Sequence, residues 1–172
     1  MNKKIILITI FLVIIIGIIY YFSQSKSVDI DPLNCNYIIN GENFNLIKGK
    51  SEIEIPNSSS KIITYYSNIE TYNDFNNDKI NDVAGLIMQN TGGSGTFFYL
   101  AVVLGGNKEC QSVESVFLGD RVSPQSIEVE DNRIIVNYLD RALEDSMADF
   151  PSIIISRQFL VENNRLIEII PE

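Results

Sequence analysis

Asp74, Asn76, Asp78 and Asp82 stand at positions 1, 3, 5 and 9 of the stretch DFNNDKIND, with Ile80 at position 7. That pattern is suited to a calcium loop. A hard cation takes about six to eight oxygens at short range, and alternate residues of a tight loop can turn theirs to a common point. Ile80 would add its backbone carbonyl, and Asp82 would close the cage as the next strand begins. Three carboxylates and an amide this close repel one another unless a cation or full hydration separates them. A solvated turn is the other way to relieve that repulsion.

A second polar set is Asp120-Arg121 and Asp140-Arg141, each at the end of an apolar run. Carboxylate and guanidinium pair bidentately, so the four groups suit a structural network or the floor of a pocket for a small polar ligand. A pair of carboxylates for glycan hydrolysis is a narrower reading of Asp120 and Asp140, since nothing in the sequence fixes their separation. Thr91-Gly92-Gly93-Ser94-Gly95-Thr96 lacks the lysine and following helix of a phosphate loop and reads as a hairpin turn. Ser58-Ser59-Ser60-Lys61 matches S-x-x-K only formally and reads as a loop.

Composition narrows the chemistry further. The chain has 172 residues and no His, which removes the commonest general base and any Ser-His or Cys-His nucleophile pair. Its two cysteines, Cys35 and Cys110, cannot alone build a structural zinc site. Setting aside Lys3 and Lys4 takes the formal charge from −9 to −11. Such a surface repels nucleic acid and anionic lipid headgroups and tolerates divalent cations.

Residues 5–22 are apolar apart from Thr9 and two terminal tyrosines. As a helix they would span roughly 27 Å, close to the thickness of a bilayer core, and longer than the apolar core of a cleavable signal peptide. Lys3 and Lys4 place the N-terminus in the cytoplasm and the rest outside. Cleavage near Ser23-Gln24-Ser25 is the alternative. The expected organisation is a membrane anchor over 1–22, a tether over 23–33 and an extracytoplasmic domain over 34–172. In that oxidising compartment an even cysteine pair forms one disulfide, Cys35 to Cys110, with two buried thiols as the alternative.

The elements that must hold these groups are strands. Three hairpins carry their own turns at Asn40-Gly41, Asp131-Asn132 and Asn163-Asn164, residues that tolerate positive φ. Further strands are expected over 52–55, 61–66, 82–89, 96–104, 115–118 and 152–159. VAGLIM and FFYLAVVL are nearly continuous in apolar residues, so both faces of those strands should be covered. Pro151 and Asp145-Ser146 make residues 138–150 a loop. The expected fold is mainly β, one compact antiparallel domain built as a curved sheet or sandwich.

Residues 74–86 resemble the D-x-[DN]-x-D-G-x-x-D loops of integrin-type FG-GAP repeats and EF-hand-like modules without flanking helices. Two departures stand out. Lys79 holds the family's Gly position, which calls for a left-handed backbone, and Gly85 stands where EF-hands carry a bidentate Glu. The longer run NDVAGLIMQNTGGSGTFFYLAVVL, with VFLGDRVSPQSIEV, IIVNYLDR and MADFPS, resembles a group of uncharacterised bacterial envelope proteins, membrane-anchored or lipoprotein ectodomains. That resemblance implies a cell-envelope setting and brings no activity with it. The expected function is therefore a non-enzymatic binding or structural module held at the cell membrane. It would carry a structural Ca²⁺ loop and meet an envelope protein or glycan as partner. The rival is an envelope hydrolase using Asp120 and Asp140.

Overall fold

The computed structural model describes residues 30–106, 110–146 and 148–170. Expectations for the anchor and most of the tether lie outside them. Among the described residues no helix is long and apolar enough to cross a membrane. The sole helical turn there is a 3₁₀ turn, Pro32–Asn34, capped by the Asp31 carboxylate on the Leu33 N–H. The rest is strand: β1 (Asn36–Ile39), β2 (Glu42–Asn45), β3 (Lys50–Glu54), β4 (Lys61–Asn73), β5 (Asp82–Asn90) and β6 (Phe97–Val103). β7 (Gln111–Glu114), β8 (Val116–Asp120), β9 (Ser123–Glu130), β10 (Arg133–Asp140), β11 (Ile153–Glu162) and β12 (Arg165–Ile169) complete the order.

The hairpin turns form where the sequence marks them. Asn40, Asp131, Asn132, Asn163 and Asn164 all take positive φ, between 48° and 61°. Both central residues of each turn are then left-handed, which matches the twist of the flanking strands.

Eight strands make the first sheet, in the order β2-β1-β7-β6-β5-β4-β3, with β8 also pairing β6. Its two edges, β2 and β3, are consecutive in the chain and meet through the Ile47–Lys50 bridge. A sheet whose edges are joined by so short a link has to curl, so it nearly closes on itself. Inside the curl lies one core: Cys35, Tyr37, Ile39, Phe44, Leu46, Tyr66, Ile87, Tyr99, Ala101 and Val103. β9 to β12 form a second sheet, ordered β12-β11-β10-β9. It covers the outside of the curl over a second core that includes Phe75, Leu86, Leu100, Val102, Ile134, Val136 and Phe159.

β5 and β6 therefore have both faces covered, one set of alternate residues in each core. Leu86, Leu100 and Val102 are completely buried on one side, as is Ile87 on the other. Full burial of such a side chain contributes roughly 1.5–3 kcal/mol, so these two strands anchor the fold. Gly85 is a packing requirement, because a Cβ there would run into the Tyr66 ring.

Three features differ from the sequence reading. The pairing is not wholly antiparallel, since β1 and β7 run parallel. β4 continues to Asn73, past a register shift between Tyr66 and Glu70. β7 itself was not expected: Gln-Ser-Val-Glu carries little apolar content, and it pairs because the curled sheet leaves a slot between β1 and β6.

Candidate functional site

The acidic loop is built around one inward residue. Phe75 is 1% exposed and sits in the core between the sheets, which pins the loop at its second position. Asn132 in the β9–β10 turn ties it from the side, donating to the Phe75 carbonyl (3.4 Å) and accepting from Asn73 (2.7 Å). Asp74 accepts the N–H groups of Asp78 (3.0 Å) and Lys79 (2.8 Å). Asn76 also accepts from Asp78 N–H (3.0 Å), and Asp78 accepts from Ile80 N–H (2.8 Å). These are side-chain-to-backbone turns in which carboxylates satisfy donors that no strand can reach. Lys79 takes φ 72°, and Asn77 takes 62°. A lysine in the left-handed region costs on the order of 1 kcal/mol, which the Asp74 hydrogen bond to its N–H helps to offset.

Asp82 fastens the loop to the rest of the fold. It is completely buried. One carboxylate oxygen accepts from Phe75 N–H (2.8 Å), and the other accepts from Gly105 N–H (2.7 Å). Gly105 is required at that point, since a Cβ there would stand 2.5 Å from the Asn81 carbonyl oxygen. Burial pushes the Asp82 carboxyl above the usual Asp range, the two backbone donors pull it back, and the nearby Asp78 charge pushes it up again. Asp82 thus clamps the loop to the turn after β6.

Asp74, Asn76, Asp78 and Asp82 all accept backbone N–H groups in this arrangement, so the loop holds its shape by its own hydrogen bonds. Both Asp82 oxygens are engaged by buried N–H groups. Among the described residues no three His, Cys, Asp or Glu side chains gather as metal ligands.

The Asp-Arg pairs come together at one corner, where β8 and β10 end. Asp120 pairs with Arg121 at 3.0 Å and accepts the Thr96 N–H at 2.8 Å, which ties β8 to the start of β6. Arg141 acts differently: its guanidinium donates to the carbonyls of Arg121 (2.9 Å) and Asp149 (2.7 Å). Asp140 accepts the Arg141 N–H at 2.8 Å, and Asp145 accepts the Ala142 N–H at 2.9 Å. Asp120, Asp140 and Asp145, with Arg141, Ala142 and Leu143, line a cavity of about 270 Å³. Arg141 holds two turns together, and the carboxylates face the space between them.

Cys35 and Cys110 are joined as a disulfide, with Cα atoms 4.8 Å apart. The bond fastens the start of β1 to the start of β7, beside the Asn36 N–H that donates to the Cys110 carbonyl (2.8 Å).

Two further concavities were not legible as spacing. Tyr66 and Tyr72 both donate to Glu70, at 2.6 and 2.9 Å, beside a groove that Ile30, Asp31 and Leu33 also line. The second is a cavity of about 430 Å³ lined by Asn40, Gln89, Thr91, Phe97, Tyr99 and Phe117. Its residues come from the β1–β2 turn, β5 and the connection after it, β6 and β8, so only the strand register unites them. Tyr99 lies directly opposite Phe117 across β6 and β8, and Gln89 opposite Phe97 across β5 and β6. The alternation in FFYLAVV was the one available signal, because it puts Phe97 and Tyr99 on a common face.

No protein-family model, curated protein or solved structure matches the chain.

Proposed function

We propose that this chain is a non-enzymatic binding or structural module of the cell envelope, held at the membrane by residues 5–22 with its β domain outside. The observation that carries the reading is the Cys35–Cys110 disulfide. Such bonds persist in oxidising compartments, and this one closes a sequence separation of 75 residues across the first sheet. Chain-entropy reasoning gives such a link about 4 kcal/mol. The acidic balance and the lack of His support a role without nucleic acid and without His-based catalysis. The acidic loop takes part as a self-capped turn that fixes the start of β5.

The test is the redox state of the cysteines in cells. Trapping thiols with an alkylating reagent before lysis should leave both cysteines unlabelled, and both should label after reduction. Protease added to spheroplasts should digest the β domain. Two labelled thiols and a protected domain would overturn the location.

A second reading has one observation in its favour, the shared cavity of Asp120 and Asp140. A hydrolase would use one as acid and the other as base or nucleophile. The Arg121 pairing and the Thr96 N–H already hold Asp120 in a structural network at this corner, which weighs for the non-enzymatic reading.

A further inference from the structure

The cavity at Phe97, Tyr99 and Phe117 differs in kind from the other two concavities. Asp31 and Glu70 line the tyrosine groove, and Asp120, Asp140 and Asp145 line the corner cavity. The third lining carries three aromatic rings, two carboxamides and one hydroxyl, and no ionisable acid or base beyond the Tyr99 phenol. With no Asp, Glu, Lys or Arg in the lining, no full charge is available to pair with an ionic group of a ligand.

The rings make a connected wall. Phe117 lies 5.4 Å from Tyr99 and 6.3 Å from Phe97, centroid to centroid, with the planes tilted. Phe117 is 48% exposed at the rim, whereas Tyr99 is 5% exposed below it. Aromatic faces carry partial negative charge, so they attract the weakly positive C–H groups of a saturated ring as well as shedding water.

The polar groups are fixed before any ligand arrives. Gln89 is 4% exposed, and its amide donates to the Thr64 hydroxyl at 3.2 Å, which sets its orientation. Asn40 is held by the left-handed turn at φ 53°. Burial raises the Tyr99 phenol pKa, and the Asn40 side chain beside it pulls the other way. Preorganised amides suit a ligand that presents adjacent hydroxyl groups and returns little binding energy per contact.

A ligand with C–H groups on one face, hydroxyls round its edge and no charge is a pyranose sugar. The site is a shallow, open depression of about 430 Å³, a shape that suits stacking against one face of a sugar ring. We propose that Phe97 and Phe117, backed by the buried Tyr99 ring, form the stacking wall of a site for a neutral sugar unit, with Asn40 and Gln89 bonding its hydroxyls. The proposal deepens the binding-module reading and rests on it for the source of the sugar, an uncharged envelope glycan.

The experiment is calorimetric titration of the full chain in detergent with maltotriose, cellotriose and chitotriose, followed by analysis of the recovered sugar. At least one trisaccharide should bind and be recovered intact. Phe117→Ala should weaken it by about tenfold, the effect expected of a central aromatic contact. Asn40→Gly, which keeps the left-handed turn, should weaken it less, and Phe150→Ala, at an exposed ring elsewhere, should change nothing. No heat from any of the three at about 10 mM, where a millimolar complex would be mostly formed, overturns the site. Binding that Phe117→Ala leaves unchanged overturns it too. Recovery of shortened sugar would keep the site and overturn the non-enzymatic reading, and cytoplasmic thiols would overturn only the location.

Discussion

The loop at residues 74–82 and the corner where β8 and β10 end are both rich in Asp, yet they use it in opposite ways. In the loop the decisive carboxylate, Asp82, is completely buried, and both its oxygens accept backbone N–H groups. At the corner Asp120, Asp140 and Asp145 each accept one backbone N–H, Asp120 also pairs with Arg121, and all three line a cavity. The difference lies in what surrounds each group. Phe75 and Gly105 bring two orphan donors to a site that water does not reach, so a carboxylate there is needed to satisfy them. At the corner Arg141 bonds the carbonyls of the turns, which leaves carboxylate lone pairs for solvent or ligand. Acidic spacing alone does not separate a clamp from a lining.

The sharpest way to break this comparison is to remove the clamp. Asp82→Ala strands two buried N–H groups and should cost about 3–5 kcal/mol, read as a lower urea midpoint. Asp82→Asn keeps the shape and one acceptor and should cost less. Its pH profile adds a sign. Because burial raises the folded pKa above the unfolded one, the Asp82 term favours the fold most below the unfolded pKa and declines as pH rises through the folded value. That part of the profile should vanish in Asp82→Asn. An alanine variant within about 0.5 kcal/mol of the parent, the range of an ordinary surface change, would show that the clamp does not exist.

The corner should respond less. Asp120→Ala removes the Arg121 pair and the acceptor for Thr96 N–H, both partly exposed, so about 1–2 kcal/mol is expected from chemical denaturation. A loss equal to that of Asp82→Ala would place the two regions in one class.

The contrast also marks how far the sequence could be read. The hairpins were legible because Asn40-Gly41, Asp131-Asn132 and Asn163-Asn164 carry local information, and the positive φ values follow from it. Lys79 was legible as a left-handed residue through the loop pattern. The partners of Asp82 were not, because Gly105 lies 23 residues away and reaches it only after β5 and β6 pair. The same holds for β7, whose composition is weak and whose place depends on the curl. Phe117 against Tyr99 depends on the β6–β8 register, which shifts between Phe98 and Tyr99. What is local is written in residue types, and what is long-range waits on topology.

The smallest expected effect decides what the loop does with calcium. A closed five-ligand site of about 10⁻³ M, the weak end for extracellular modules, would at 5 mM Ca²⁺ add roughly 1 kcal/mol by mass action. For a chain of this length that raises Tm by about 2–4 °C. The Asp74, Asn76, Asp78 and Asp82 side chains all accept backbone N–H groups that a cation would have to share or displace, and Lys79 adds a positive charge beside them. A site near 10⁻² M would add about a quarter as much, so the expected shift is below about 1 °C. Lys79→Gly separates strain from metal: it should raise Tm in chelator as well as in calcium, because glycine relieves the left-handed backbone either way. A rise of several degrees with Ca²⁺ that Asp82→Asn abolishes would mean that Asp82 leaves its backbone partners for the ion. The loop and the corner would then differ in metal chemistry and not in burial.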